Sequence, residues 1–233
     1  MVTLSLPALF LINFFSFSVT LIAISLSLGS FSGGLPNLLL IILLLAFVVG
    51  TIYHSMMSKY ISGPQIQLRS GKYFSLESMN VEDIELIDIA TSLSNLCRFN
   101  GHCIDYYSVA QHCCLCSDNA PEGYKWDALM HDCVESVVGD IARPIKYAIP
   151  GFKELEKSIE VPMYQHNMVL NSGVIKELDL KALATEKRDL MPDTGDTWVV
   201  IEKVEPWKEK IIPWQAVIAT DEFMKRAVAL DPR

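Results

Sequence analysis

No Asp, Glu, Lys or Arg occurs in the first 58 residues, so that stretch offers water no charged face. Every formal side-chain charge of the 233-residue chain lies from Lys59 onward. Cations are also scarce: 19 Lys and Arg stand against 27 Asp and Glu, and the net charge of −8 excludes a surface built to neutralise many phosphates of DNA or RNA. A small anion held by a few local cations is not excluded. No C-x-x-C pair is repeated, although Cys97, Cys103, Cys113, Cys114, Cys116 and Cys133 crowd one stretch. That argues against a zinc knuckle or a disulfide framework and for small buried thiols. Sustained strand alternation, internal repeats and low-complexity linkers are missing too, which leaves an all-α single domain as the expectation for the charged part.

The uncharged part has its own pattern. Residues 4–28 and 35–53 are almost unbroken apolar runs joined by Gly29, Ser30, Phe31, Ser32, Gly33 and Gly34. Each is about as long as the roughly 20 residues a helix needs to cross a bilayer, so a two-helix transmembrane hairpin is expected, with membrane contact through residues 4–53. A cleaved signal peptide fits less well because no basic segment precedes the first run. Lys59, Arg69 and Lys72 follow the second run, which places the remaining domain on the cytoplasmic side. Met56 and Met57 stand just before the first charge and leave a second start open, in which case the product is cytoplasmic. The expected division is a hydrophobic region over 1–58 and a charged domain over 59–233.

Within that domain, residues 63–76 read as a small hairpin around Ser70 and Gly71. Ile84, Ile87, Ala90, Leu93 and Leu96 recur at helical spacing after Asn80, a candidate N-cap. Further helices are predicted over 106–118, 122–138, 152–170, 174–190 and 221–230. A loop is expected at 139–146, and a tail carrying Trp198, Trp207 and Trp214 is expected to wrap the bundle.

Chemistry concentrates between Arg98 and Asp140. His131, Asp132 and Glu135 interrupt an apolar helix that also holds Trp126, Leu129, Met130 and Val134, and a carboxylate buried there needs a partner, of which a divalent metal is the strongest. Glu135 follows His131 by four residues and Asp132 by three, which puts it one turn along the same face, where it can handle a proton. Arg98 offers a planar fork for phosphate oxygens, and Lys146 offers a point charge, with Arg143 as a weaker alternative. His102 either hydrogen-bonds substrate or closes the Gly101 turn. Tyr106 and Tyr107 either wall a nucleoside pocket or pack in the core.

The segments Ser108-Val109-Ala110-Gln111-His112, then His131-Asp132-Cys133-Val134-Glu135, then Gly139-Asp140 and Pro144-Ile145-Lys146 resemble the H…HD…D pattern of HD-domain metal-dependent phosphohydrolases. The closest likeness is to the 5′-deoxynucleotidase-like branch, and it covers roughly residue 66 to the C-terminus. The resemblance implies an HD-type helical bundle in which His112, His131, Asp132 and a later Asp hold one divalent ion. Asp179 fits that last place better than Asp189. The ion is left open among Mn, Co, Fe, Zn and Mg, since two imidazoles and two carboxylates suit all of them to some degree. The resemblance also implies acid/base roles for Glu135 and Asp140 and a nucleotide or similarly small phosphorylated substrate, and it leaves a homodimer open. Cys103 and Cys113 stand where that branch leads one to expect hydroxyl residues, and Cys133 is a further departure, so metal preference can differ.

The expected activity is phosphate removal from a nucleotide. Alternatives are an HD-type phosphodiesterase, a nucleoside triphosphate or alarmone hydrolase, and a non-catalytic membrane-tethered nucleotide-binding module.

Overall fold

The computed structural model describes residues 46–50, 63–170 and 172–233. The chain divides into two units, Met1–Ser62 and Gly63–Arg233, four residues beyond the boundary expected from charge alone. In the first unit the described residues 46–50 are helical. The second unit carries the fold described below.

A short antiparallel hairpin begins this second unit, with β1 (Gln65–Gln67) paired to β2 (Tyr73–Ser75) so that Ile66 faces Phe74. Phe74 is fully buried. The hairpin turn is tied to the first helix, α1 (Leu86–Asn95), because Asp88 accepts from the backbone and the hydroxyl of Ser70 at 2.6 and 2.9 Å. The same carboxylate accepts from the Glu85 backbone at 2.9 Å and completes a capping box. Asn80, the cap expected from sequence, instead precedes a single 3-10 turn at Val81–Asp83.

Next come α2 (Val109–Asp118), α3 (Lys125–Met130), α4 (Glu135–Val138), α5 (Arg143–Ala148), α6 (Phe152–His166), α7 (Gly173–Leu190) and α8 (Ala216–Leu230). The loop expected at 139–146 thus contains a helix start, with Pro144 in its first turn, where a missing N–H costs nothing. The helix expected over 122–138 is broken into a 3-10 turn, α3 and α4.

Helix α2 occupies the centre. It packs against α1, α3, α7 and α8, and α8 also covers α1 and α3. Neighbours on several sides explain its composition: Ala110, Cys113, Cys114, Cys116 and Ser117 are all buried, and small side chains let other helices approach closely. All six cysteines are free thiols. Phe223 and Ala227 of α8, Ile89 and Leu93 of α1, and Leu129 and Met130 of α3 fill the main core. The tail is strapped to the bundle by side chains, since Gln111 donates to the Ile212 carbonyl and accepts from the Trp214 backbone, each at 2.8 Å.

The expected membrane hairpin, and the membrane localisation with it, must be corrected. Among the described residues no helix is long and apolar enough to cross a membrane. The apolar runs expected to form that hairpin lie outside the described residues except for 46–50. The longest described helix, α7 at 18 residues, carries Lys176, Glu177, Asp179, Lys181, Glu186, Lys187, Arg188 and Asp189, far too many charges for hydrocarbon. What the described chain presents is a helical bundle with a small hairpin.

Candidate metal centre

His112 lies in the first turns of α2, whose start is fixed by Ser108: its hydroxyl accepts from the Gln111 backbone at 3.1 Å. The imidazole is wholly buried. His131 follows the last residue of α3, and from there the backbone tightens. The amides of Cys133, Glu135, Ser136 and Val137 donate to carbonyls three residues back, at 2.9 to 3.1 Å. Three residues per turn makes positions i and i+3 eclipse. Asp132 and Glu135 therefore stack on one face more directly than an α-helix would place them. The Tyr164 hydroxyl donates to the His131 carbonyl and anchors this turn to α6. Asp179 comes from the middle of α7.

These residues meet. His112 Nε2 lies 3.2 Å from His131 Nε2, 3.5 Å from Asp132 Oδ2 and 3.4 Å from Asp179 Oδ1, and His131 Nε2 is 3.4 Å from Asp132 Oδ2. Two ligands each held about 2.1 Å from one ion stand about 3.4 Å apart at the tetrahedral angle, so the spacing suits a shared cation. The outer faces of the rings fix which nitrogen looks inward. His131 Nδ1 is 2.8 Å from the Ala128 carbonyl, which can only accept, so Nδ1 carries the proton and Nε2 presents a lone pair. His112 Nδ1 is 2.6 Å from Glu186 Oε1, which turns its Nε2 into the cluster in the same way. The His131 ring nitrogen and carboxylate oxygens of Asp132 and Asp179, each within 3.5 Å of His112 Nε2, call for a positive charge among them. The chain thus carries clusters of His, Cys and Asp that could hold a metal ion, among them His112, Cys116 and His131, and Cys113, His131 and Asp132.

Burial and the Arg98 charge push the His112 pKa down, but Cys116, Glu186 and Asp179 push it further up, well above the ordinary imidazole value. Burial works against ionisation of Asp179, yet His112, His131 and Arg98 hold its pKa below the ordinary carboxylate value.

Arg98 forms the second layer of charge. The residue is 9% exposed, and its guanidinium lies 3.1 Å from Glu186, 3.6 Å from Asp140 and 4.0 Å from Asp132. Burial opposes the Glu186 charge, but Arg98 and His112 outweigh it and bring its pKa to about 2. Glu186 was not singled out in the sequence. It lies seven residues after Asp179, two turns along α7, and that spacing was the available signal.

Asp132 and Asp179 also line a cavity of about 560 Å³, together with Arg98, Glu135, Asp140, Arg143 and Lys146. Glu135 is 7% exposed, its Oε2 has no hydrogen-bond partner among the described residues, and its Oε1 is 3.6 Å from Lys146 Nζ. Burial, then the charges of Asp132 and Asp140, raise its pKa well above the usual carboxyl range. Asp140 is raised too, by burial first and Asp132 next, against the pull of Arg98. The lining is also aromatic: the rings of Phe99 and Trp198 lie 5.8 Å apart, the latter from the tail. Their meeting joins residues far apart in the chain, and no local pattern announces it.

Other expected residues stay outside. His102 is exposed and caps the Arg98–Gly101 turn, so it closes the turn rather than facing the cavity. Tyr107 is buried with Leu190 and Ile211, and Tyr106 donates to the Ser94 carbonyl away from the cavity. Asp189, the competitor of Asp179, is held by Arg188 at 2.7 Å and by the Ile211 backbone at 2.8 Å.

Comparison with known proteins decides the family. The chain is 40% identical over 164 residues to the uncharacterized protein YfdR of Escherichia coli (strain K12), which covers 69% of this chain and 92% of YfdR. The chain belongs to the YfdR family. An uncharacterized protein of Rhodobacter capsulatus is 36% identical over 108 residues, 42% of this chain and 55% of that protein. No family model matches the sequence.

Proposed function

We propose that this chain is an HD-type, metal-dependent phosphohydrolase that removes phosphate from a nucleotide or a similarly small phosphorylated metabolite. The observation that carries the reading is that His131, Asp132 and Asp179 each come within 3.2 to 3.5 Å of His112 Nε2 at the wall of a charged cavity. These four would hold one divalent ion, and two nitrogens with two oxygens accommodate Mn, Co, Fe, Zn or Mg. When bound, such an ion supplies Lewis-acid charge to a phosphate oxygen and lowers the pKa of a water.

The rest is the work of this chain's side chains. Glu135, stacked on Asp132 with one oxygen unpartnered, is placed to give a proton to the leaving oxygen or take one from water. Asp140 stands beside Arg98 as a second proton acceptor or water-orienting group. Arg98 Nε is buried without a partner among the described residues, which leaves a donor for a phosphate oxygen even while Glu186 holds the other end of the guanidinium. Lys146 lies between Glu135 and Glu156 at the cavity, where its charge offsets that of an arriving phosphate.

The test is phosphate release from deoxynucleoside 5′-monophosphates by the full chain, with each of the five ions in turn. His131→Ala or Asp132→Ala is expected to abolish metal-stimulated release. Full activity in either variant refutes the site. Release of pyrophosphate, or cleavage of a diester in place of a monoester, moves the assignment to another HD reaction.

A further inference from the structure

One donor in the cluster has no part in the reading above. Cys116 sits four residues after His112 on α2, the spacing at which two helical side chains reach a common point. Its Sγ is 3.9 Å from His112 Nε2, the residue is 1% exposed, and His112, Cys116 and His131 bring ligand atoms within 4.8 Å of one another. With the four residues above, Cys116 makes five donors, and a sulfur about 2.3 Å and a nitrogen about 2.1 Å from one ion stand about 3.8 Å apart at the roughly 120° angle between equatorial ligands of a five-coordinate ion. The observed separation is close to that.

We propose that Cys116 is a thiolate ligand of this same centre, and that the centre therefore takes a thiophilic divalent ion such as zinc or cobalt in preference to magnesium. The inference rests on the metal-hydrolase reading and narrows it, since oxygen-only donors suit magnesium whereas mixed nitrogen and sulfur donors do not. On binding, the S–H bond breaks, sulfur donates the retained electron pair to the ion, and the proton passes to solvent. No oxidation is involved. Cys113, which also approaches His131 and Asp132, belongs to the main apolar core and serves as the control.

The full chain, stripped of metal, is titrated with Co²⁺ alone and its absorption spectrum recorded. A thiolate-to-cobalt charge-transfer band in the near ultraviolet is expected beside the weaker ligand-field bands. Cys116→Ser should lose the charge-transfer band and keep the ligand-field bands, which also report a folded site, while Cys113→Ser keeps both. Ligand-field bands without charge transfer in the native chain, or a band lost only in Cys113→Ser, overturn the proposal and leave the hydrolase reading standing. Absence of any cobalt binding overturns both. Calorimetry in buffers of differing ionisation enthalpy gives a second readout: zinc should release one more proton from the native chain than from Cys116→Ser, and equal release counts against the thiolate.

Discussion

Glu186 ties the candidate centre to its support, because one oxygen faces His112 Nδ1 and the other faces Arg98. It is fully buried, so its charge is tolerated only through those two partners. Glu186→Gln near neutral pH leaves the Arg98 charge without its nearest partner and is expected to cost about 3–5 kcal/mol in urea denaturation. Metal affinity should fall by about 10–100-fold, since the residue orients a ligand ring. The pH dependence follows from the sign of the shift. The folded pKa of about 2 lies below the ordinary 4.5, so the carboxylate's contribution is complete above about 4.5 and is lost as pH falls toward 2. The stability gap between native chain and variant should therefore narrow across that interval, and a gap that stays constant contradicts the assignment.

Among the elements, the segment from α3 to α5 decides whether the acids face the cavity. Its 3-10 winding sets Asp132 over Glu135, and Gly139 then turns the chain at φ 82 and ψ 157 before Asp140. That region of backbone space is essentially closed to a residue with a Cβ. Nothing lies within 4 Å of where the Cβ would stand, so strain and not collision is the obstacle. Gly139→Ala is expected to lower stability by about 1–3 kcal/mol and to reduce phosphate release by moving Asp140 relative to Arg98. A variant of native activity and denaturation midpoint would show that the turn places neither.

For the whole molecule, the proposed ion would bridge three parts of the chain: α2, the turn after α3, and α7. The unfolded chain has no such arrangement, so binding stabilises the folded state by mass action. An ion at about 100 times its Kd should add about 2.7 kcal/mol, read as a rise in Tm that a chelator reverses. Asp179→Asn should weaken that response, because it removes the charge that α7 would bring to the ion. An unchanged Tm on addition of each of the five ions would argue against a resident metal.

Local pattern carried the helices and much of the candidate site. Helical spacing marked α1, α2 and α7, and the polar intrusion of His131, Asp132 and Glu135 into an apolar run marked the place where burial needs a partner. The long apolar stretches suggested a membrane hairpin because composition measures transfer preference alone, and no described helix has that character. Periodicity also assumed 3.6 residues per turn between Asp132 and Glu135, where the amides bond three residues back. Glu186, Cys116 and the pairing of Phe99 with Trp198 were settled by packing: their partners are set by which helices press on α2 and where the tail is strapped. Sequence alone determined which residue types were available for chemistry. Only the tertiary structure decided which of them share a point, because contacts between distant segments depend on how whole faces pack and not on the spacing within any one of them.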